Sequence, residues 1–93
     1  MEDKKRVHLL ISGLVQGVFF RASTWAKAQK LELTGWVTNL RSGQVEIVAE
    51  GKDKDIKQLI NWTRKGSTSA EVRSVEIDWE EYVGEFNSFK IRH

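Results

Sequence analysis

The chain has 93 residues, of which 40% are hydrophobic, and a formal net charge of +2 at neutral pH. This length predicts one domain with a single modest core, and no stretch approaches the roughly 20 apolar residues of a membrane span. The absence of cysteine excludes disulfides, thiolate nucleophiles and thiolate metal sites. The charged start of the chain does not look like a secretion signal. Together with the absence of cysteine, this makes the cytoplasm the default compartment.

The first strand and the first helix are predicted from a change in hydrophobic period. Apolar and other residues alternate over Val7–Ile11, which indicates a strand, and Ala22–Leu31 has the composition of a helix. The residues expected to face the core from this helix, with the position that continues the stripe beyond its end, are Ala22, Trp25, Ala26, Gln29 and Leu33.

A hairpin is predicted next. Thr34–Leu40 and Gln44–Glu50 have strand composition, and the turn between them contains Gly43 at a position suited to left-handed backbone. The second of these strands is expected to point Val45, Ile47 and Ala49 inward and Glu46, Val48 and Glu50 outward.

The rest of the chain predicts a second helix and two further strands. Gly51 interrupts the strand pattern, and Asp53 or Asp55 can cap a helix that ends at Gly66. The buried stripe expected of this helix is Ile56, Leu59, Ile60 and Thr63. A long alternating strand around Val75, Ile77 and Trp79 follows, and Phe89 and Ile91 mark a short final strand.

The resulting order is β-α-β-β-α-β plus a terminal strand. Every main strand has one apolar and one more polar face, so both helices are expected to cover the same face of the sheet. We therefore predict a ferredoxin-like α+β sandwich with an antiparallel sheet.

The connection between the first strand and the first helix has the features of an anion site. It passes through Gly13 and Gly17 and ends at Arg21. Loop N–H groups and the free N–H groups of a helix's first turn can point at one anion, and the helix dipole favours negative charge there. Arginine adds a fork of donors that matches phosphate oxygens, whereas a cation at this position without an anion would be mildly unfavourable.

Two sequence blocks resemble the acylphosphatase family. Gly-x-Val-Gln-Gly-Val-x-Phe-Arg occurs over residues 13–21, and Gly-Trp-Val-x-Asn occurs over residues 35–39. Their order and spacing, together with the ending Phe89–Arg92, also fit that family, so the resemblance covers essentially the whole chain. It implies the same ferredoxin-like fold and hydrolysis of the carboxyl–phosphate bond of acyl phosphates.

The resemblance also implies roles for individual residues. Arg21 and Asn39 are the implied catalytic residues, Arg21 on the phosphoryl group and Asn39 on the attacking water. The implied phosphate cradle is Gln16, Gly17, Val18, Phe19, Phe20 and Arg21. From its position alone, Asn39 is better explained as a turn residue, and only the resemblance favours the catalytic role. The aromatic residues Phe19, Phe20, Trp25 and Trp36 are expected in the core or the pocket wall.

The sequence contains no obvious metal site, cofactor motif or general base. His8 and His93 have no evident partner in the sequence, and the Gly-rich loop is not a Walker A motif. The acidic residues Glu76, Asp78, Glu80 and Glu81 are better explained as a solvated strand face than as a metal site. We expect metal-independent attack of water on phosphorus, which needs charge neutralisation and orientation more than proton transfer.

The expected partner is a small acyl phosphate, carbamoyl phosphate among the candidates, with phosphate or sulfate as competing anions. A monomer is the default for a domain of this size. The main alternative is an acylphosphatase-like regulatory or partner-binding domain without turnover. RNA binding fits poorly, because the outward strand positions offer no aromatic platform and include Glu46 and Glu50.

Overall fold

The computed structural model describes residues 3–93 and contains five strands and two helices in that range. These are β1 (Lys4–Leu14), α1 (Phe20–Lys30), β2 (Thr34–Asn39), β3 (Val45–Lys52), α2 (Asp53–Thr63), β4 (Glu71–Glu80) and β5 (Phe89–Ile91). The strands form one sheet in the order β4-β1-β3-β2-β5. The ferredoxin-like architecture is therefore confirmed.

The sheet differs from the prediction in one respect, because it is mixed and not wholly antiparallel. β1 pairs antiparallel with β3 and β4, and β2 pairs antiparallel with β3, but β5 pairs parallel with β2. The chain reverses after β4 and reaches the opposite edge of the sheet, so its last strand runs in the direction of β2. The final strand was predicted, but its direction depends on this long-range return.

The core lies between the sheet and the two helices. Val7, Leu9 and Ile11 of β1 are fully buried at alternate positions, as the period of two predicts. The four predicted core residues of α2, which are Ile56, Leu59, Ile60 and Thr63, are also buried. These faces hold the strand ends and the start of α1 in fixed positions, and the cleft described below is built from those ends.

The predicted buried stripe of α1 is wrong within the helix, although Leu33, which was expected to continue it beyond the helix end, is buried as predicted. Ala22, Trp25, Ala26 and Gln29 are exposed, and the buried residues of this helix are Phe20, Thr24 and Ala28. Phe20 is the bulkiest of the three, is 1% exposed and packs at 5.4 Å from the ring of Trp62. Its burial sets the rotation of the helix, so that positions four and eight residues later face the sheet.

The start of α2 also differs from the prediction. Gly51 does not interrupt β3, which continues to Lys52, and neither Asp53 nor Asp55 is the N-cap. The N-cap is Lys52, and α2 begins directly at Asp53, whose carboxylate lies 2.9 Å from the Lys57 ammonium. Glycine at position 51 leaves room for the Leu33 side chain, because a Cβ added to Gly51 would lie 2.5 Å from Cδ2 of Leu33. Asp53 still complements the helix dipole from the first turn.

The outer face of the sheet is partly covered. Val48 and Glu50 point outward, as predicted, but they are only 4% and 1% exposed. The Glu50 carboxylate accepts hydrogen bonds from the N–H groups of Val83 and Gly84, in the segment that follows β4. The acidic residues of β4, by contrast, are exposed, as predicted. Within residues 3–93, no helix has the length and apolarity needed to cross a membrane.

Candidate active site

The loop between β1 and α1 contains two residues with left-handed backbone. Gly17 has φ = 73°, and Phe19, the N-cap of α1, has φ = 60° and ψ = 25°. Left-handed residues beside right-handed ones turn successive N–H groups toward the same side and form a concave anion-binding nest. A Cβ added to Gly17 would meet nothing within 4 Å, so this residue borders open space.

The N–H groups of this loop lack backbone acceptors within the described part of the chain. Within residues 3–93, no backbone hydrogen bond uses the N–H of residues 16–21 as its donor, and the first such bond of the helix runs from Ser23 to Phe19. The first turn of α1 contains no acidic residue that could neutralise the positive end of the helix dipole. The predicted cradle, from Gln16 to Arg21, is therefore a set of unused donors at a helix N-terminus.

Two side chains hold the loop in place. The Gln16 amide group donates to the carbonyl oxygens of Leu40 at 2.7 Å and Gln44 at 2.9 Å. The Ser67 hydroxyl donates to the Val18 carbonyl oxygen at 2.7 Å. Because the Gln16 side chain is engaged with the β2–β3 turn, this residue can contribute only its backbone N–H to the cradle. Its hydrogen bonds also fix the loop relative to the end of β2.

Arg21 lies in the first turn of α1 and points toward the C-terminal end of the described chain. Its Nη1 lies 3.2 Å from Nδ1 of His93 and 3.5 Å from the carbonyl oxygen of Arg92. Among the described residues, no carboxylate lies within 4 Å of a guanidinium nitrogen of Arg21 in an ion pair. The guanidinium can therefore pair with an anionic ligand without first losing an acidic partner.

Asn39 is the last residue of β2 and lies beside the same loop. Its side-chain Oδ1 is buried and accepts no hydrogen bond from the described residues. Buried polar atoms are almost always hydrogen-bonded, so an unpaired one in a cleft suggests an interaction with a small ligand or water. Rotation of the amide about its terminal torsion exchanges its oxygen and nitrogen positions, so either group can face that ligand.

One cleft of about 300 Å³ brings these residues together. Its lining consists of Val15, Gly17, Phe19, Phe20, Arg21, Ala22, Asn39, Ile91 and His93. The two predicted catalytic residues thus share a cavity with the loop, while the Gln16 side chain lies outside it. Val15, Ala22, Ile91 and His93 were not predicted to line it. Val15 follows the end of β1, and Ile91 and His93 lie at or after the end of β5. Sequence spacing does not show which strand β5 pairs with, so it does not place these last residues at the cleft.

Both histidines have contacts that the sequence does not indicate. His8 lies on the outer face of the sheet, where its Nε2 is 2.7 Å from the Glu46 carboxylate. His93 contacts Arg21 in the cleft. Within residues 3–93, no group of three or more His, Cys, Asp or Glu side chains is arranged to hold a metal ion.

The predicted aromatic residues occupy different environments. Phe20 is in the core, while Phe19 is 82% exposed at the edge of the cleft. Trp25 is partly exposed, and its indole N–H donates to the Phe89 carbonyl oxygen at 3.0 Å. The Arg92 guanidinium lies 4.5 Å from the ring centre of Trp36. Only the two phenylalanines therefore belong to the cleft.

Comparison with known proteins gives a consistent result. The family model described as Acylphosphatase matches residues 7–91. An acylphosphatase of Pelotomaculum thermopropionicum is 43% identical to this chain and covers 96% of it and 97% of its own length. The crystal structure of acylphosphatase from Bacillus subtilis has a TM-score of 0.92 at 29% identity, over 96% of this chain and 99% of that one. An acylphosphatase structure from Coxiella burnetii has a TM-score of 0.87 at 44% identity, over 97% and 94% of the two chains. The chain therefore belongs to the acylphosphatase family and is an acylphosphate-hydrolysing enzyme of that family.

Proposed function

We propose that this enzyme hydrolyses small acyl phosphates without a metal ion, by attack of water on the phosphorus atom. The observation that supports this most directly is a single cleft that contains Arg21, the loop residues Gly17, Phe19 and Phe20, and the side chain of Asn39. Among the described residues, the arginine has no carboxylate partner, the N–H groups of these loop residues have no backbone acceptor, and the Asn39 Oδ1 accepts no hydrogen bond. Donors suited to a phosphoryl group thus lie beside an amide oxygen that accepts no hydrogen bond from the described residues.

Arg21 and the loop amides have the role of holding the phosphoryl oxygens. Negative charge is spread over these oxygens in the transition state, and preorganised donors stabilise it without having to reorient. The backbone N–H groups supply direction, and the guanidinium supplies net charge. This role explains why Arg21 stands at a helix N-terminus. The attraction between the guanidinium and the bound phosphoryl dianion outweighs its unfavourable interaction with the helix dipole.

Asn39 has the role of orienting the attacking water. An amide offers both an acceptor and two donors but cannot accept a proton as a base. The water oxygen forms a bond to phosphorus while the bond from phosphorus to the carboxyl oxygen breaks. The leaving group departs as a carboxylate, and the water proton passes to a phosphoryl oxygen of the substrate. No phosphorylated enzyme forms.

The test is hydrolysis of benzoyl phosphate in excess chelator. We expect turnover by the native protein, a loss of about 10²–10³-fold in kcat for Arg21→Ala, and a loss of similar order for Asn39→Ala. Matched controls are Arg64→Ala and Asn61→Ala, which remove the same side-chain types at exposed positions outside the cleft. Loss of activity in chelator would contradict the metal-independent mechanism, and equal losses in the controls would contradict the assigned roles.

The position of attack can be tested with water labelled with oxygen-18. Attack on phosphorus places the label in inorganic phosphate, whereas attack on the acyl carbon places it in the carboxylate. Recovery of the label in the carboxylate would contradict the proposed mechanism. Trapping of substrate phosphate on the quenched protein would show a covalent intermediate and would also contradict it.

Three further expectations belong to this proposal. Phosphate and sulfate compete with the substrate, because they are tetrahedral anions that fit the same donors. The enzyme acts as a monomer in the cytoplasm. Nucleic acid is not a ligand, which is supported by the covered outer face of the sheet, where Val48 and Glu50 are buried. Competition kinetics tests the first expectation, light scattering after size-exclusion chromatography and cell fractionation test the second, and titration with nucleic acid tests the third.

A further inference from the structure

Two adjacent phenylalanines at the start of α1 have opposite environments. Phe20 is 1% exposed and packs against Trp62, whereas Phe19 is 82% exposed and is the most exposed large hydrophobic residue among those described. Exposed apolar surface of this size is unfavourable in water. The Phe19 ring therefore contributes nothing comparable to the folded core, although it lies at the edge of the cleft.

The backbone at Phe19 is also unfavourable for this residue type. A left-handed conformation suits glycine or asparagine, and an N-cap position suits residues that can accept a hydrogen bond from the helix. Phe19 has left-handed backbone and makes no side-chain capping bond. Local structure alone thus favours another residue here. Strained residues of this kind cluster at functional sites, so the ring calls for a functional explanation.

The remaining walls of the cleft are mostly apolar. Once Arg21, Asn39 and the loop amides are assigned to the phosphoryl group and the water, the other lining side chains are Val15, Phe19, Phe20, Ala22, Ile91 and His93. Among the described residues, these walls provide no second guanidinium or ammonium group for a charged acyl substituent. Moving a carboxylate against such walls would cost desolvation without a matching partner, whereas an apolar group would be stabilised.

We propose that Phe19 forms the wall against which the acyl group of the substrate packs, and that the cleft selects acyl phosphates with an uncharged, apolar acyl group. This inference rests on the proposed function, because it assigns the loop cradle to the phosphoryl group. Phe19 is then a specificity-determining residue. Its ring becomes buried only when an aromatic or branched aliphatic acyl group is bound.

The first test measures binding without chemistry. Phenylphosphonate, methylphosphonate and inorganic phosphate are titrated into the native protein and Phe19→Ala, with calorimetric detection. We expect native protein to bind phenylphosphonate more tightly than methylphosphonate, and Phe19→Ala to lose about three- to tenfold in affinity for phenylphosphonate only. Leu14→Ala is the matched control, since Leu14 is also large, apolar and 51% exposed but does not line the cleft.

The second test measures kcat/KM for benzoyl, acetyl and succinyl phosphate, the last of which carries a carboxylate on its acyl group. We expect benzoyl phosphate to be the best substrate and succinyl phosphate the worst. Phe19→Ala should lower the benzoyl-to-acetyl ratio about three- to tenfold, while Leu14→Ala leaves the ratio unchanged.

The outcomes separate this inference from the proposed function. Equal loss of affinity for all three anions in Phe19→Ala would show that the residue shapes the cradle and would overturn the inference. An unchanged benzoyl-to-acetyl ratio would overturn it too, with the enzymatic function intact. Absence of turnover with all three acyl phosphates would overturn the proposed function. If phenylphosphonate binding still depended on Phe19 in that case, the apolar binding site would be supported although the enzymatic function had failed.

Discussion

The loop before α1 and the surroundings of Glu50 both gather polar groups, but they do so in opposite ways. In the loop, the N–H groups of residues 16–21 have no backbone acceptor among the described residues, and the Asn39 amide oxygen beside them is unpaired. Around Glu50, the buried carboxylate accepts from two backbone N–H groups and from the Arg6 guanidinium at 3.3 Å. One region has donors in excess, and the other is internally satisfied.

This difference separates function from stability within one small protein. A satisfied buried carboxylate holds the segment after β4 against the outer face of the sheet and needs no further ligand. Unpaired donors and an unpaired acceptor are costly in a folded protein unless water or a ligand completes them. Changes in the loop should therefore affect activity more than folding, and changes at Glu50 should affect folding more than activity.

The largest expected effect is on catalysis and comes from removing the charge of Arg21. Arg21→Gln should lower kcat/KM by about 10²–10³-fold, because the phosphoryl charge loses its cationic partner. The free energy of unfolding should stay the same or rise by about 0.3–1 kcal/mol, since a cation at a helix N-terminus is unfavourable. Activity assays and urea unfolding test both points. A fall of several kcal/mol in the free energy of unfolding would show that Arg21 stabilises the fold. It would contradict the proposed difference between the loop and the surroundings of Glu50.

The opposite result is expected for Glu50. Glu50→Gln should lower the free energy of unfolding by roughly 1.5–3 kcal/mol, because a charged acceptor shared by Arg6 and two N–H groups is lost. Its kcat at a temperature where it is fully folded should remain within about twofold of native, on the order of a 0.4 kcal/mol change in the barrier. Glu76→Gln, at an exposed position of β4, is the control and should change stability by less than about 0.5 kcal/mol. A large loss of activity in folded Glu50→Gln would contradict the proposal that this residue stabilises the fold without contributing to catalysis.

The pH dependence of stability sharpens the same comparison. Burial alone would raise the pKa of the Glu50 carboxyl, but the N–H groups of Val83 and Gly84 and the Arg6 guanidinium outweigh it and hold the pKa below its usual range. A folded pKa below the unfolded one contributes stability that is complete above the unfolded pKa, about 4.3 for glutamate. That contribution is lost as the pH falls through the folded pKa.

The stability difference between native protein and Glu50→Gln should therefore be constant near neutral pH and should narrow below about pH 4. Urea unfolding of both proteins across this range measures it. A difference that widened on acidification would mean that the folded pKa of Glu50 is raised, contrary to the geometry. Unfolding of Glu50→Gln itself gives the pH dependence of the remaining carboxylates.

The fold was largely predictable because its strands and α2 have strong periodic patterns. Val7, Leu9 and Ile11 alternate in sequence and in burial, and the stripe of α2 repeats at helical spacing. α1 was misoriented because its apolar residues do not form a continuous stripe, so the packing of Phe20 against Trp62 decided its rotation. The parallel direction of β5 and the burial of Glu50 depend on a long-range chain return, which local patterns do not encode.

The placement of the candidate site was predictable in part for a similar reason. Gly17 and Arg21 are close in sequence, so a local motif was enough to suggest an anion cradle. Asn39 could be linked to it only by resemblance to a family, because its own position also fits a turn. The contact between Arg21 and His93 joins the start of α1 to the segment that follows β5, and no local signal indicates it.

The smallest expected effect concerns the backbone of Phe19. It tests how much the left-handed conformation at this residue lowers the free energy of unfolding. Phe19→Ala and Phe19→Gly both remove the ring, but only glycine removes the penalty of the left-handed conformation. That penalty is about 1–2 kcal/mol, and the greater freedom of unfolded glycine offsets about 0.4–1 kcal/mol of it. Phe19→Gly should therefore be more stable than Phe19→Ala by about 0.5–1 kcal/mol, as measured by urea unfolding. Equal stability would mean that the loop relaxes out of the left-handed conformation once the ring is gone. A more stable glycine variant with impaired turnover of benzoyl phosphate would show that native protein retains an unfavourable residue at position 19 because the ring is needed in the cleft.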